Sequence, residues 1–300
     1  MEEKDKLRYA LEDAIQKCDK AEAFIKEVIS LPEDIPSPPS LSLAERLLDS
    51  VRAFLFPQTC AEKAGRREAG IMLSRLLCES LSCLYSSEDV YRLVDRIFSF
   101  FPQLLEMLSA DACAIYESDP AATSAFEVVL SYPGFFAITA YRFSHILYRE
   151  GIPLLPRMIS EISHRKTGID IHPGAEIGRA FSIDHGTGIV IGETAVIGER
   201  VKIFQGVTIG ARSIKTSNND KDRAHPEGQS QGCTNPQKEK EKEVQAARII
   251  KKRHPTIESD CTICTGAVIL GGDTVIGKGS VIGAGAVVTH SVPQGQIVRH

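Results

Sequence analysis

Three short polar segments punctuate the C-terminal half of this 300-residue chain, and their side chains are of the kinds that move protons and hold charged ligands. They are Asp170-Ile171-His172-Pro173, Asp184-His185-Gly186-Thr187-Gly188 and Arg253-His254-Pro255. A histidine titrates near neutral pH, so it can take a proton from a hydroxyl and later return it, and a carboxylate beside it fixes which ring nitrogen carries the proton. A lone histidine near a turn is more often structural. Here an acid and a histidine, Asp170 and His185, both fall where the surrounding pattern is irregular and stand fifteen residues apart, which points to an oriented general base. Cys261-x-x-Cys264 is a further constellation with possible chemistry. No second pair accompanies it and both cysteines flank Ile263 inside an aliphatic repeat, so packing is the expected role and no metal is expected.

The pattern that these segments interrupt is a six-residue rhythm. Ile171, Ile177 and Ile183 open it, Ile191, Ile197, Ile203 and Ile209 resume it after a two-residue slip, and Ile257, Ile263, Ile269, Ile276, Ile282 and Val288 close it. A period of six fits neither an amphipathic helix nor a simple alternating strand. The residue two places earlier is often small or β-branched, as at Ala175, Ala195, Val201, Val207, Ala267 and Ala286, and the residue after is often Gly. Hexads of this kind mark a parallel β-helix with three hexads per triangular coil, and roughly four coils are expected. Such a coil cannot cover all its outer faces, so trimerisation is expected, with ligand clefts between subunits.

Upstream, residues 1–30 read as a charged amphipathic helix, and a Pro-rich linker follows to residue 40. Residues 41–168 carry apolar positions at helical spacing, with Ser86-x-x-Asp89 as a helix start, one helix from about Pro133 to Gly151 and another over about 154–165 that stops before Gly168. The expected class is therefore α+β: an N-terminal all-helical domain, then a left-handed parallel β-helix of hexapeptide repeats over 169–300 with an inserted loop at 212–252. That loop holds ten Lys or Arg against six Asp or Glu, a basic balance suited to facing phosphates. A composition with 43% hydrophobic and 25% charged residues is that of a folded protein, and a net charge of −4 offers no field for nucleic acid or an acidic membrane. Eight scattered cysteines, no apolar run at the charged start and no stretch long enough to span a bilayer give a cytoplasmic location as the expectation.

From about Asp119 to Val288 the chain closely resembles serine O-acetyltransferase, the hexapeptide-repeat enzyme family of cysteine biosynthesis. The likeness is carried by Asp119-Pro120, the Gly134-Phe135-Phe136-Ala137-x-x-Ala140-Tyr141-Arg142 helix, Asp170-Ile171-His172-Pro173, Asp184-His185-x-Thr187-Gly188-Ile189-Val190-x-Gly192-Glu193-Thr194-Ala195 and Arg253-His254-Pro255-x-Ile257. The resemblance implies transfer of acetyl from acetyl-CoA to the L-serine hydroxyl, with His185 as general base and Asp170 fixing its tautomer. It further implies that Asp119 and Asp184 face the substrate ammonium while Arg253 and His254 face its carboxylate. Gly210, Ala211, Thr265, Gly266, Gly283 and Ala284 match the positions lining the family's CoA groove, and cysteine is the implied competitor of serine. A homotrimer or a dimer of trimers is implied as well.

Two departures stand out. The family's short segment before Arg253 is replaced by the long insertion, which contains a second candidate, Asp222-Arg223-Ala224-His225-Pro226; Arg253-His254 is preferred because hexads follow it at once. The chain also stops at His300 without the tail by which family members dock on O-acetylserine sulfhydrylase, so that docking is not expected. Other readings are a sister acetyltransferase for another hydroxyl acceptor such as a sugar, a zinc hydratase using His172, His185 and His254, and a non-catalytic scaffold. Asp119 alone also reads as an Asp-Pro helix-start signal.

Overall fold

The computed structural model describes residues 38–59, 65–212 and 251–299. The expected helix over 1–30, the linker up to residue 37, nearly all of the insertion at 212–252 and the second Arg-x-His candidate within it lie outside the described residues.

The helical part is cut into segments by the residues that cap them. Ser40 accepts a hydrogen bond from the Leu43 amide at 3.1 Å and starts α1 (Leu41–Leu55). After α2 (Arg66–Ser82), Ser86 caps α3 (Ser87–Ser99) by accepting from the Asp89 amide, as its spacing predicts. Proline in the first turn suits α4 (Phe101–Ser118) and α6 (Pro133–Arg149), and Ser124 caps the short α5 (Ala125–Ser131) between them. α7 (Leu155–Thr167) ends at Gly168, whose φ of 70° is the left-handed value a helix stop needs and a Cβ resists. Leu47, Leu48, Leu73, Leu77, Leu81, Ile97, Leu108, Phe135 and Phe143 are fully buried between these helices.

Two residues after Gly168 the chain becomes a triangular coil of parallel strands. Sheet A stacks β1 (Asp170–Ile171), β4 (Val190–Ile191), β7 (Thr208–Gly210), β10 (Val268–Leu270) and β13 (Val287–Val288). Sheet B stacks β2 (Glu176–Ile177), β5 (Val196–Ile197), β8 (Thr256–Ile257) and β11 (Val275–Ile276). Sheet C stacks β3 (Ser182–Asp184), β6 (Lys202–Phe204), β9 (Thr262–Ile263), β12 (Val281–Ile282) and β14 (Ile297–Val298). All thirteen hexad aliphatics point inward and are buried, and Ala175, Ala195, Val201, Val207, Ala267 and Ala286 fill the gaps between them. Cys261 joins this core, as packing requires, while Cys264 is half-exposed. The coil has five turns on sheets A and C rather than the roughly four expected. After β13 the last turn is completed by Val292, which bridges to Ile276 but follows Val288 by four residues rather than six, and by β14, whose Val298 pairs with Ile282.

Coil and helices are joined by buried polar contacts. Arg142 of α6 pairs with Asp111 of α4 through two hydrogen bonds, at 2.5 and 2.8 Å, and also donates to the carbonyls of Ile177 and Gly178. Asp111 accepts the Phe181 amide at 2.9 Å as well. Burial pushes the Asp111 carboxyl above its ordinary value, and Arg142 pulls the other way. Tyr141 and Ser160 donate to the carbonyls of Ala175 and Ile171, which fixes α6 and α7 against the first coil. At Gly134 an added Cβ would stand 2.8 Å from the Ile183 carbonyl, so only glycine lets α6 lie this close to β3.

Candidate active site

The corner between sheets C and A gathers three of the residues singled out from sequence. α4 ends at Asp119, which turns to extended backbone (φ −110°, ψ 106°) before Pro120. It is therefore a helix stop and not the helix start that Asp-Pro alone suggests, because the preceding run from Phe101 already carries the helix and Ser124 begins the next. Its carboxylate is held from two sides: Oδ1 accepts the Ala121 amide at 2.8 Å and Oδ2 the Tyr132 hydroxyl at 2.7 Å. Those two bonds hold Asp119 below the usual carboxylate range, and the same contact pushes the Tyr132 phenol up to about 12.

Asp184, at the end of β3, projects from the same corner with Oδ1 3.8 Å from His185 Nε2 and Oδ2 3.1 Å from Lys202 Nζ. The slip in the hexads at this point is a bulging turn. His185 itself takes φ 58°, a left-handed value uncommon for a residue with a side chain, followed by Gly186 at 97° and Gly188 at 82°. A Cβ at Gly186 would come within 2.5 Å of Ile169. The turn thus tucks its glycine against the core and throws the His185 side chain outward, where it is 75% exposed.

The opposite edge of sheet A, at the corner toward sheet B, holds a second group. Arg253 bonds Glu193 Oε2 at 2.6 Å, and Glu193 also accepts from the Tyr148 hydroxyl. Burial pushes the Glu193 carboxyl up, but Arg253 and His172 outweigh it and leave it below its ordinary value. The Thr194 hydroxyl oxygen accepts the amides of Arg253 and His254, at 2.9 and 3.0 Å, and lies 2.9 Å from His254 Nδ1. With both lone pairs in use, the hydroxyl must donate its proton to Nδ1, which also receives the Thr194 amide at 3.1 Å. His254 is therefore the tautomer with its proton on Nε2. Burial first, then the Arg253 charge, lowers its pKa to about 4, so the ring stays neutral across the ordinary range. The ring lies over Gly192, where a Cβ would be 2.1 Å away, so this corner admits only glycine.

The expected groove residues divide the same way. Gly210 and Ala211 leave β7 on the Arg253 edge, whereas Thr265-Gly266 and Gly283-Ala284 lie on the His185 edge. On that edge the turns stack through hydrogen bonds from Gly206 to Thr187, Gly266 to Gln205 and Gly285 to Thr265, each 2.9 Å. A Cβ at Gly266 would meet nothing within 4 Å, so the face of that ladder is open to a ligand. Asp170 stands on β1, beside Val190 in the ladder, with Ile171 turned inward. Among the described contacts it does not touch His185.

The structure thus brings Asp119, Asp184 and His185 together and seats Arg253 beside His254, but it leaves these two groups on opposite edges of one face. The four steps from Gly188 to Gly192 span roughly 13 Å at about 3.3 Å each. Sequence reasoning assigned no role to Tyr132, Lys202, Glu193 or Thr194. Glu193 and Thr194 lie within the quoted Gly192-Glu193-Thr194-Ala195 motif, and nothing in the local sequence marks the other two.

Residues 65–140 match the family described as serine acetyltransferase, N-terminal. A serine acetyltransferase from Synechococcus elongatus is 44% identical over 212 residues, which cover 71% of this chain and 58% of that protein. The structure of serine acetyltransferase isoform 3 from Entamoeba histolytica, in complex with cysteine, is 32% identical, with a TM-score of 0.68 over 88% of this chain and 82% of that one. The chain belongs to the serine acetyltransferase family. The family's Neisseria gonorrhoeae structure in complex with serine also superimposes, with 29% identity and a TM-score of 0.54 over 85% of this chain and 95% of that one. The match to the Synechococcus relative spans less than two thirds of that protein's length.

Proposed function

We propose that this protein transfers acetyl from acetyl-CoA to the hydroxyl of L-serine, with His185 as general base. The observation that carries the reading is the convergence of Asp119, Asp184 and His185 at one corner, two carboxylates beside an outward imidazole, in a chain of this family. Two acids suit an ammonium and argue against a sugar acceptor. The relatives solved with cysteine and with serine support an amino-acid ligand.

Serine carries its ammonium and carboxylate on one carbon, so a single molecule cannot bridge the two edges of a face some 13 Å wide. The pocket is completed when the His185 edge of one subunit meets the Arg253 edge of another, as a trimer around the coil axis permits. The neighbouring subunit also covers His185, whose exposure in one chain is too great for an efficient base in a water-excluding site. In this assembly Asp170 reaches the imidazole, orients it and stabilises the imidazolium. His185 takes the serine hydroxyl proton as the oxygen attacks the thioester and returns it to the departing thiolate. Arg253, aimed by Glu193, and the Nε2–H of His254 hold the carboxylate. The open ladder at Thr265, Gly266, Gly283 and Ala284, facing Gly210 and Ala211 of the neighbour, holds the pantetheine arm. Cysteine presents the same two charged groups and competes with serine, and a cytoplasmic setting is part of this reading.

Incubating the protein with acetyl-CoA and a panel of amino acids and sugars, while following free CoA thiol, tests the proposal. Release with L-serine is expected. Release only with a sugar, or with no acceptor at all, overturns it. Light scattering should give a mass that is a multiple of three subunits, and an active monomer would refute the assembly.

A further inference from the structure

Lys202 completes the ammonium end of the proposed site. Its Nζ lies 3.1 Å from Asp184 Oδ2, donates to the Ser118 carbonyl at 2.8 Å, and stands 4.5 Å above the Phe204 ring. The ladder explains the reach. Ser182 opposes Lys202 and Asp184 opposes Phe204, and all four face outward or edgeward because Ile183 and Ile203 face in. The lysine stem therefore crosses the Phe204 ring to meet Asp184 on the diagonal. Ser118 is the last residue of α4, where carbonyls lack helical partners and a cation is favoured, and Asp119 follows it directly. One ammonium thus ties the helix end that carries Asp119 to the strand that carries Asp184. The two side chains are only 20% and 17% exposed, so salt and water screen the pair less than a surface bridge.

The consequence is a charge count. With Lys202 in place, Asp119, Asp184 and Lys202 sum to one negative charge, which one substrate ammonium neutralises. Without it, two carboxylates face that ammonium. An amino alcohol without a carboxylate, such as ethanolamine, offers the same hydroxyl and ammonium but a net positive charge, and it gains more than a zwitterion from each added negative charge. We propose that Lys202 is a specificity-determining residue of this site: by holding Asp184 and the end of α4 it sets a pocket of one net negative charge, which favours a zwitterionic hydroxy-amino acid over a cationic amino alcohol. The inference rests on the serine reading given above.

The test compares the full chain with Lys202→Met, Lys202→Gln and Lys202→Arg, measuring the serine KM and the inhibition constant of ethanolamine as a competitor of serine. In the two neutral variants the ratio of that inhibition constant to the serine KM should fall about tenfold, the order expected for one unit charge acting through partly solvated protein. Lys202→Arg should return the ratio toward the starting value. Gln keeps a donor for the Ser118 carbonyl, so it reads the charge even if Met fails to fold. A purely structural role would weaken both ligands together and leave the ratio in place. A ratio unchanged within twofold in the neutral variants, or shifted equally in Lys202→Arg, overturns the inference. Absence of CoA release with serine in the unmodified protein overturns the parent reading instead.

Discussion

Replacing Thr194 with valine removes one hydroxyl and almost no volume, yet that hydroxyl is the hub of the corner that holds Arg253 and His254. It accepts two backbone amides and supplies one of the two hydrogen bonds that hold His254 Nδ1 as an acceptor. Deleting it strands both amides. The His254 amide is shielded, while the Arg253 amide lies at an exposed residue and can turn to water. An unsatisfied buried donor costs about 1–3 kcal/mol, and a solvent-rescued one costs little, so a total of about 2–3 kcal/mol is expected. For a chain of this size that corresponds to a loss of roughly 3–5 °C in Tm, measured by calorimetry at fixed protein concentration. The same change leaves Nδ1 with the Thr194 amide alone and loosens the Arg253 backbone, so the serine KM should rise about tenfold with a smaller change in kcat. Thr194→Ser keeps the hydroxyl and should recover most of both. A Thr194→Val protein whose Tm and serine KM both match the original would refute the assignment of these hydroxyl hydrogen bonds.

His185→Ala should lower kcat by about 10²–10⁴ with acetyl-CoA binding retained, and Asp170→Asn should do less, both measured by thiol release; full turnover of the His185 variant would end its assignment as base. Because His254 is held near 4 against an ordinary value of about 6.5, the unfolded chain binds the extra proton between those values. Stability from this group is thus complete above about pH 6.5 and is lost as pH falls toward 4, by roughly 2–3 kcal/mol; His254→Gln should flatten that part of the denaturation profile. Arg142→Met should leave the Asp111 carboxylate buried without its partner and destabilise the chain by about 3–5 kcal/mol in urea titration, whereas an effect below 1 kcal/mol would mean that the pair is dispensable.

Much of this was legible because repeat proteins write their core periodically. Each hexad aliphatic faces the axis for the same geometric reason as the one before it, so Ile171 to Val288 could be placed inside from spacing alone, and the interruptions at Asp184-His185 and Arg253-His254 marked the places where the chain leaves the coil. The end of the last turn was not legible, since Val292 follows Val288 by four residues and so breaks the six-residue phase before β14. Helix ends announced themselves where a capping side chain acts on its neighbours, as at Ser86. Asp119 was ambiguous because Asp-Pro fits a helix start and a helix stop equally, and only the helix already running from Phe101 decides between them.

What the sequence by itself determined is the coil, its corners and the types of the reacting groups, all of them matters of local spacing. What only the tertiary structure decided is which of those groups meet. Lys202 reaches Asp184 because parallel strands stack in one register, and Tyr132 reaches Asp119 because α6 begins beside the end of α4. His254 loses its second tautomer to a threonine sixty residues away. Such contacts depend on stacking distant segments, and no short-range pattern records them. The same stacking puts His185 and Arg253 on opposite edges of one face, because consecutive corners of a triangular coil are separated by the full length of one side.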